Sequence, residues 1–126
     1  MPPKILIIDD DREICAIKKA QLELDGDFQV TVANEPDNGL KLARSKKPDL
    51  ILLDIVMPGK DGFEVLNELK NDIQTTAIPV IMHTGVDDDQ SKLRAAESYN
   101  EGYVLKTADR ATLISTIRNV LSRHPR

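Results

Sequence analysis

Three consecutive aspartates (Asp9, Asp10, Asp11), a distant fourth (Asp54), a hydroxyl at Thr84 and a cation at Lys106 are the residues here whose types can do chemistry together. Three carboxylates crowded at one place repel, and some are forced neutral at pH 7 unless a cation joins them. Hard oxygen ligands with room for water suit Mg²⁺ or Mn²⁺, and no cluster of His and Cys suggests zinc. A carboxylate aligned by such a metal can attack phosphorus and form an acyl phosphate. The metal and an ammonium can neutralise the charge spread over the transferred oxygens, and Thr84 can donate a hydrogen bond to one of them. Each residue alone also has a plainer reading, as a cap, a turn former, a strand residue or a solvated end. Only their convergence would favour chemistry.

The elements decide whether they converge. Lys4–Asp9 reads as a strand, with Ile5, Leu6, Ile7 and Ile8 unbroken. Arg12–Leu24 follows as a helix with Ile14, Ile17, Ala20 and Leu24 at helical spacing, capped by Asp10 or Asp11 and ended by Gly26. Phe28–Ala33 alternates as a second strand, and Asn34 offers a cap before Pro36, which opens a helix to about Ser45. Asp49–Asp54 is a third strand, followed by a loop of Pro58, Gly59 and Gly62 and a helix marked by Phe63, Leu66 and Leu69. Pro79–Thr84 is a fourth strand, Ser91–Tyr99 a short polar helix and Gly102–Lys106 a fifth strand. Leu113, Ile114, Ile117, Val120 and Leu121 give the closing helix its buried face.

Strands that are apolar throughout belong in a parallel sheet with helices on both faces. The expected fold class is therefore α/β: a flavodoxin-like, doubly wound five-stranded parallel sheet, order 2-1-3-4-5, with five helices. It is read as one domain over residues 1–126, with its core at about 4–122. In such a sheet the C-terminal strand ends share one rim, where ligands bind. The first strand brings Asp9 and Asp10 there, the third Asp54, the fourth Thr84 and the fifth Lys106. The second, ending near Val32 and Ala33, brings no obvious chemical group.

Composition narrows the function classes. The net charge of −4 speaks against a nucleic-acid footprint. Arg118, Arg123, His124 and Arg126 read as the cationic end of a solvated helix. The single cysteine, Cys15, cannot form an intrachain disulfide and falls inside a helical pattern as a small packed residue. His83 reads as a packing residue of the fourth strand. No apolar run resembles a signal peptide or approaches a membrane span, so the expected location is the cytoplasm.

Taken with their neighbours, these residues resemble the receiver domains of response regulators in two-component phosphorelays, of the single-domain type. The resemblance covers essentially the whole chain. It rests on Ile7-Ile8-Asp9-Asp10, on Leu53-Asp54-Ile55-Val56-Met57-Pro58-Gly59-Lys60-Asp61-Gly62, on Thr84-Gly85 and on Gly102-Tyr103-Val104-Leu105-Lys106. It implies that Asp54 is the phosphoacceptor and that Asp10, Asp54 and the backbone carbonyl of Val56 ligate Mg²⁺, with Asp9 acting through water. Lys106 would pair with the phosphoacceptor and then with the phosphoryl group. Thr84 would move toward that group and Tyr103 would swing inward as the surface of the fourth helix, fifth strand and fifth helix is remodelled. The implied donor is a phosphohistidine on a sensor histidine kinase or histidine phosphotransfer protein, and the implied output is an unnamed protein target. Such a domain is a self-catalysing switch rather than a turnover enzyme. Because the closing helix runs almost to Arg126, no output domain is expected in this chain, which either acts alone or is cut from a larger one.

The chain departs from the family pattern at several positions. Thr107 stands where a proline usually follows the lysine, so a trans peptide and an altered loop are expected. Tyr99-Asn100-Glu101 replaces the small residues usual before the fifth strand. Val56 and Val86 stand where relatives often carry polar side chains, which suggests slow hydrolysis of the aspartyl phosphate. Three rival readings differ in what they ask of the acids. A haloacid-dehalogenase-like phosphatase would use Asp9 as nucleophile with Asp11, and would leave Asp54 and Met57-Pro58-Gly59 without a role. A flavodoxin-like cofactor binder would place phosphate beside three aspartates that repel it. A degenerate receiver would bind partners without taking phosphate, and so would have no use for the complete acid, hydroxyl and lysine set.

Overall fold

The computed structural model describes residues 1–85, 89–96 and 100–124. Within them, five strands alternate with five α-helices: β1 (Lys4–Ile8), α1 (Arg12–Glu23), β2 (Gln29–Ala33), α2 (Pro36–Lys46), β3 (Leu50–Leu53), α3 (Gly62–Lys70), β4 (Val80–Thr84), α4 (Asp89–Ala96), β5 (Gly102–Leu105) and α5 (Arg110–Ser122). All the strand pairs are parallel, and the sheet order is β2-β1-β3-β4-β5, as the apolar runs required. The last three residues of the fourth helix as read from sequence, 97–99, lie outside the described residues, as do Val86 and Arg126.

The two-residue period of the strands divides the core between the two faces of the sheet. Leu6, Ile8, Ile51, Leu53, Val80 and Met82 point one way, onto Leu40 and Ala43 of α2, Val65, Leu66 and Leu69 of α3 and Ala95 of α4. Ile5, Ile7, Leu50, Leu52, Ile81 and Val104 point the other way, onto Cys15 and Leu22 of α1 and Leu113, Ile117 and Val120 of α5. Burying one such side chain contributes roughly 1.5–3 kcal/mol, so both helix layers are held mainly by these contacts. Cys15 is buried, as expected, and its thiol is pushed up to about 12, first by burial and then by the charge of Asp9.

Local polar groups set the helix ends. Asp11 caps α1 by accepting from the Ile14 amide, Asp61 caps α3 through the Glu64 amide, and Asp109 caps α5 through the Thr112 amide. Two details differ from the sequence reading. Asn34 is not the cap of α2: Glu35 holds that position without a side-chain cap bond, and the Asn34 amide donates instead to the Asp9 carbonyl at 3.0 Å. Nor does α1 run to Leu24. It ends at Glu23 in a 3₁₀ turn, Leu24–Gly26, in which Asp25 (φ 62°) as well as Gly26 (φ 72°) takes a left-handed conformation. No cis peptide bond occurs among the described residues, so Lys106–Thr107 is trans as expected.

Candidate functional site

The backbone ladders continue one residue past the strands, and this fixes the acids on the rim. Asp9 donates its amide to the Ala33 carbonyl (3.0 Å), Asp54 to Ile8 (2.9 Å) and Lys106 to Thr84 (2.8 Å). These bonds tie the end of β1 to those of β2 and β3, and the end of β5 to that of β4. Asp9, Asp10 and Asp54 each present a carboxylate oxygen, all within 4.8 Å of one another. Asp9 and Asp54 are buried, at 1% and 3% exposure, whereas Asp10 faces solvent.

Lys106 reaches into this acidic cluster. Its Nζ lies 3.4 Å from Asp54 Oδ2, the expected partner, and closer still, at 2.8 Å, to Asp9 Oδ2. Burial works against the Lys106 charge, but the two carboxylates outweigh it and raise its pKa. Asp54 is pushed up to about 6, chiefly by burial and next by the negative charge of Asp9. Lys106 and the Val56 amide only partly offset those two effects.

Asp9 is held from both sides. Its Oδ1 accepts the Asp11 amide at 2.9 Å, while its buried Oδ2 has the ammonium nearby but no hydrogen bond of good geometry. The donor set fits a hard divalent cation: oxygens only, from two buried carboxylates and one exposed one, with lone pairs to spare. A pocket of about 390 Å³ opens beside Asp10, between Asn34, Asp37 and Pro58, and gives access from solvent. Thr84 is fully buried at the end of β4, and its carbonyl receives the Lys106 amide.

The loop after Asp54 depends on glycine. Gly62 donates to the Ile55 carbonyl at 2.7 Å, and a Cβ there would collide with the Asp54 carbonyl oxygen and come within 2.8 Å of the Ile55 Cα. Lys60 steadies the same loop, lying 3.0 Å from Asp37 of α2 and 2.7 Å from Glu68 of α3. Val56 is 59% exposed, and its side chain offers only methyl groups.

Asp9, Asp10, Asp54, Thr84 and Lys106 thus share the rim, as the strand ends required. Tyr103 sits apart, partly buried against the α2–α3–α4 side of the core. Asp11, which the phosphatase reading needs, is occupied as the α1 cap. Sequence reasoning missed Asn34. It lies just past β2 on the same rim and joins the Asp9 carbonyl, Cys15 Sγ (3.5 Å) and Arg12 (3.1 Å). Its position one residue beyond a parallel strand was the available signal.

Comparison with known proteins places this geometry in a family. The family profile described as response regulator receiver domain matches residues 5–118. The chain is 40% identical over 119 residues to protein PilH of Pseudomonas aeruginosa, covering 94% of this chain and 98% of that one. It is 37% identical over 124 residues to the transcriptional regulator RpaA of Synechocystis, covering 98% of this chain but 51% of that protein. Among solved structures it resembles a CheY-like response regulator receiver domain protein from Methanospirillum hungatei (TM-score 0.87, 26% identity, 98% and 96% of the two chains). It also resembles the BeF3-activated N-terminal receiver domain of Klebsiella pneumoniae RstA (TM-score 0.85, 33% identity, 94% and 97%).

Proposed function

This chain belongs to the response regulator receiver family of two-component signalling, and we propose that Asp54 is its phosphoacceptor, charged from a phosphohistidine on a sensor kinase or phosphotransfer protein. The observation that carries this reading is the Lys106 ammonium set between two buried carboxylates, with a third, exposed one alongside. Asp10, Asp54 and the Val56 carbonyl would hold Mg²⁺, with Asp9 acting through water. Bound there, the ion supplies positive charge against the phosphoryl oxygens and aligns donor and acceptor.

The chain's own groups do the rest. An Asp54 oxygen attacks phosphorus while the P–N bond to the donor imidazole breaks, leaving an acyl phosphate on Asp54. The attack needs the carboxylate, and a pKa of about 6 leaves most of Asp54 ionised at neutral pH even before a cation joins it. Lys106 then pairs with the new phosphoryl oxygens, and the Thr84 hydroxyl donates to one of them. Water later attacks phosphorus, releasing inorganic phosphate and restoring the carboxylate. Val56 cannot orient that water, so the adduct is expected to be long-lived. A polar residue in place of Val86, the other valine of this pair in the sequence, that failed to speed phosphate loss would count against this.

The switch is proposed to run through Thr84 and Tyr103 to the α4–β5–α5 face, where a downstream protein binds. Tyr103 lines a pocket of about 400 Å³ with Ala95, Ala96 and Asn100. Phosphorylation acts only as far as it stabilises one arrangement over the other. No helix among the described residues is long and apolar enough to cross a membrane, and a cytoplasmic setting is proposed with the kinase.

The test is intact mass after incubation with Mg²⁺ and acetyl phosphate, for wild type and Asp54→Asn. A single phosphoryl adduct that requires Mg²⁺ and is lost in the variant supports the proposal. An adduct that survives Asp54→Asn moves the nucleophile elsewhere, with Asp9 next to be tried. A wild type that binds Mg²⁺ and fluoroberyllate but never takes phosphate is a binding module.

A further inference from the structure

Helix α1 carries a lysine where the pattern calls for an apolar residue. Its buried positions are Cys15, Lys18 and Leu22, and Lys18 is only 4% exposed. An apolar side chain of similar length would pack there without the cost of taking an ammonium out of water. That cost appears as a pKa lowered by burial. Among the described residues, the ammonium finds one hydrogen-bond partner, the backbone carbonyl of Ala108, at 3.4 Å.

Ala108 closes the turn that carries Lys106. The Ala108 amide donates to the Leu105 carbonyl at 3.0 Å, so Lys106 and Thr107 are the two central residues of a four-residue turn. The Lys106 amide is fixed to Thr84 at 2.8 Å on β4. The far end of the turn is fixed across 90 residues of sequence by Lys18. One helical turn along α1, the Gln21 carbonyl accepts from Arg110 Nε at 2.8 Å and holds the first residue of α5 in the same way. Thr107 stands where a proline ring would otherwise stiffen this turn. Nearby, the buried His83 ring is pushed down to about 3, first by burial and then by the charges of Lys18 and Lys106. It therefore stays neutral at pH 7 and adds no third positive charge.

We propose that Lys18 is a positioning residue for the acceptor chemistry, holding the Leu105–Ala108 turn from α1 so that the Lys106 ammonium stays aimed at Asp9 and Asp54. The proposal rests on the acceptor reading of Asp54, and the experiment separates the two. Lys18→Met keeps the length and removes the donor. Amide hydrogen exchange read by NMR should speed up about tenfold at Ala108 and Lys106, with the β1 and β3 amides unchanged. The rate of phosphorylation by acetyl phosphate with saturating Mg²⁺ should fall about tenfold. In a Lys106→Ala background, Lys18→Met should cause no further loss of rate.

Unchanged exchange at Ala108 overturns the proposal. So does an unchanged rate in the single variant, or an equal loss in the Lys106→Ala background. Should Lys18→Met fail to fold, Lys18→Leu removes the same donor with a shorter side chain and is held to the same pattern of exchange and rate. A wild type that takes no phosphoryl group sinks the acceptor reading alone, and the exchange still decides whether Lys18 holds the turn.

Discussion

Replacing Asp54 with asparagine should make the protein more stable. Folding raises the Asp54 carboxyl from 3.8 to about 6, by burial and by the neighbouring charge of Asp9. The folded state therefore holds this proton more tightly than the unfolded chain does. The stability it contributes is complete below about pH 3.8 and is lost as the pH rises through about 6. Above that window the ionised side chain costs the fold about 3 kcal/mol relative to a neutral one. Asp54→Asn keeps the shape and removes the charge, and Lys106 retains its nearer partner, Asp9, at 2.8 Å. Urea unfolding with a chelator present should show the variant about 2–3 kcal/mol more stable at pH 8, with the gap closing toward pH 4. Added Mg²⁺ should stabilise wild type more than the variant and narrow the gap from the other side. A variant no more stable than wild type at pH 8, or a gap that ignores pH, refutes the reasoning.

Removing the cation should do the reverse. Lys106→Met leaves Asp9 and Asp54 buried without their counter-charge and should lose about 3 kcal/mol in Mg²⁺-free urea unfolding, much of it recovered when Mg²⁺ is added. Gly62→Ala drives a methyl group into the Asp54 carbonyl and should lose about 3 kcal/mol in the same assay, with or without Mg²⁺. His83 titrates with the opposite sign to Asp54. Its folded value of about 3 lies below the usual 6.5, so wild type loses stability as the pH falls from 6.5 toward 3. His83→Leu, followed by thermal unfolding at stepped pH, should remove up to about 5 kcal/mol of that acid sensitivity.

The strands were readable because a sheet buried on both faces leaves unbroken apolar runs, which β1 and β3 show at Ile5 to Ile8 and Leu50 to Leu53, while the edge strand β2 only alternates. The rim residues were readable because a parallel sheet sends all its C-terminal ends the same way. What escaped the sequence depended on the reach of side chains. Nothing in the apolar pattern says that Lys106 lies nearer Asp9 than Asp54, since both acids stand at the same height on adjacent strands. Lys18 sits at a core position that a charge disguises, and only the carbonyl of Ala108, far away in sequence, explains it. Asn34 was read as a local cap, but the Asp9 carbonyl across the β1–β2 edge won its amide. The Asp25 turn escaped because Gly26 seemed enough to end α1.

The strand order also governs when the site can exist during synthesis. β1 is among the first segments made, yet its two neighbours are β2 and β3, so it has no complete pairing until residue 53 has been made. Asp54 follows at once, which brings two buried like charges together with nothing to balance them. The balancing ammonium is about fifty residues further on, at the end of the last strand to be added. A nascent chain thus carries its acids before it carries their counter-ion. The rim closes only when β5 docks on β4, so the acids and their counter-charge come together only in the last step of sheet assembly.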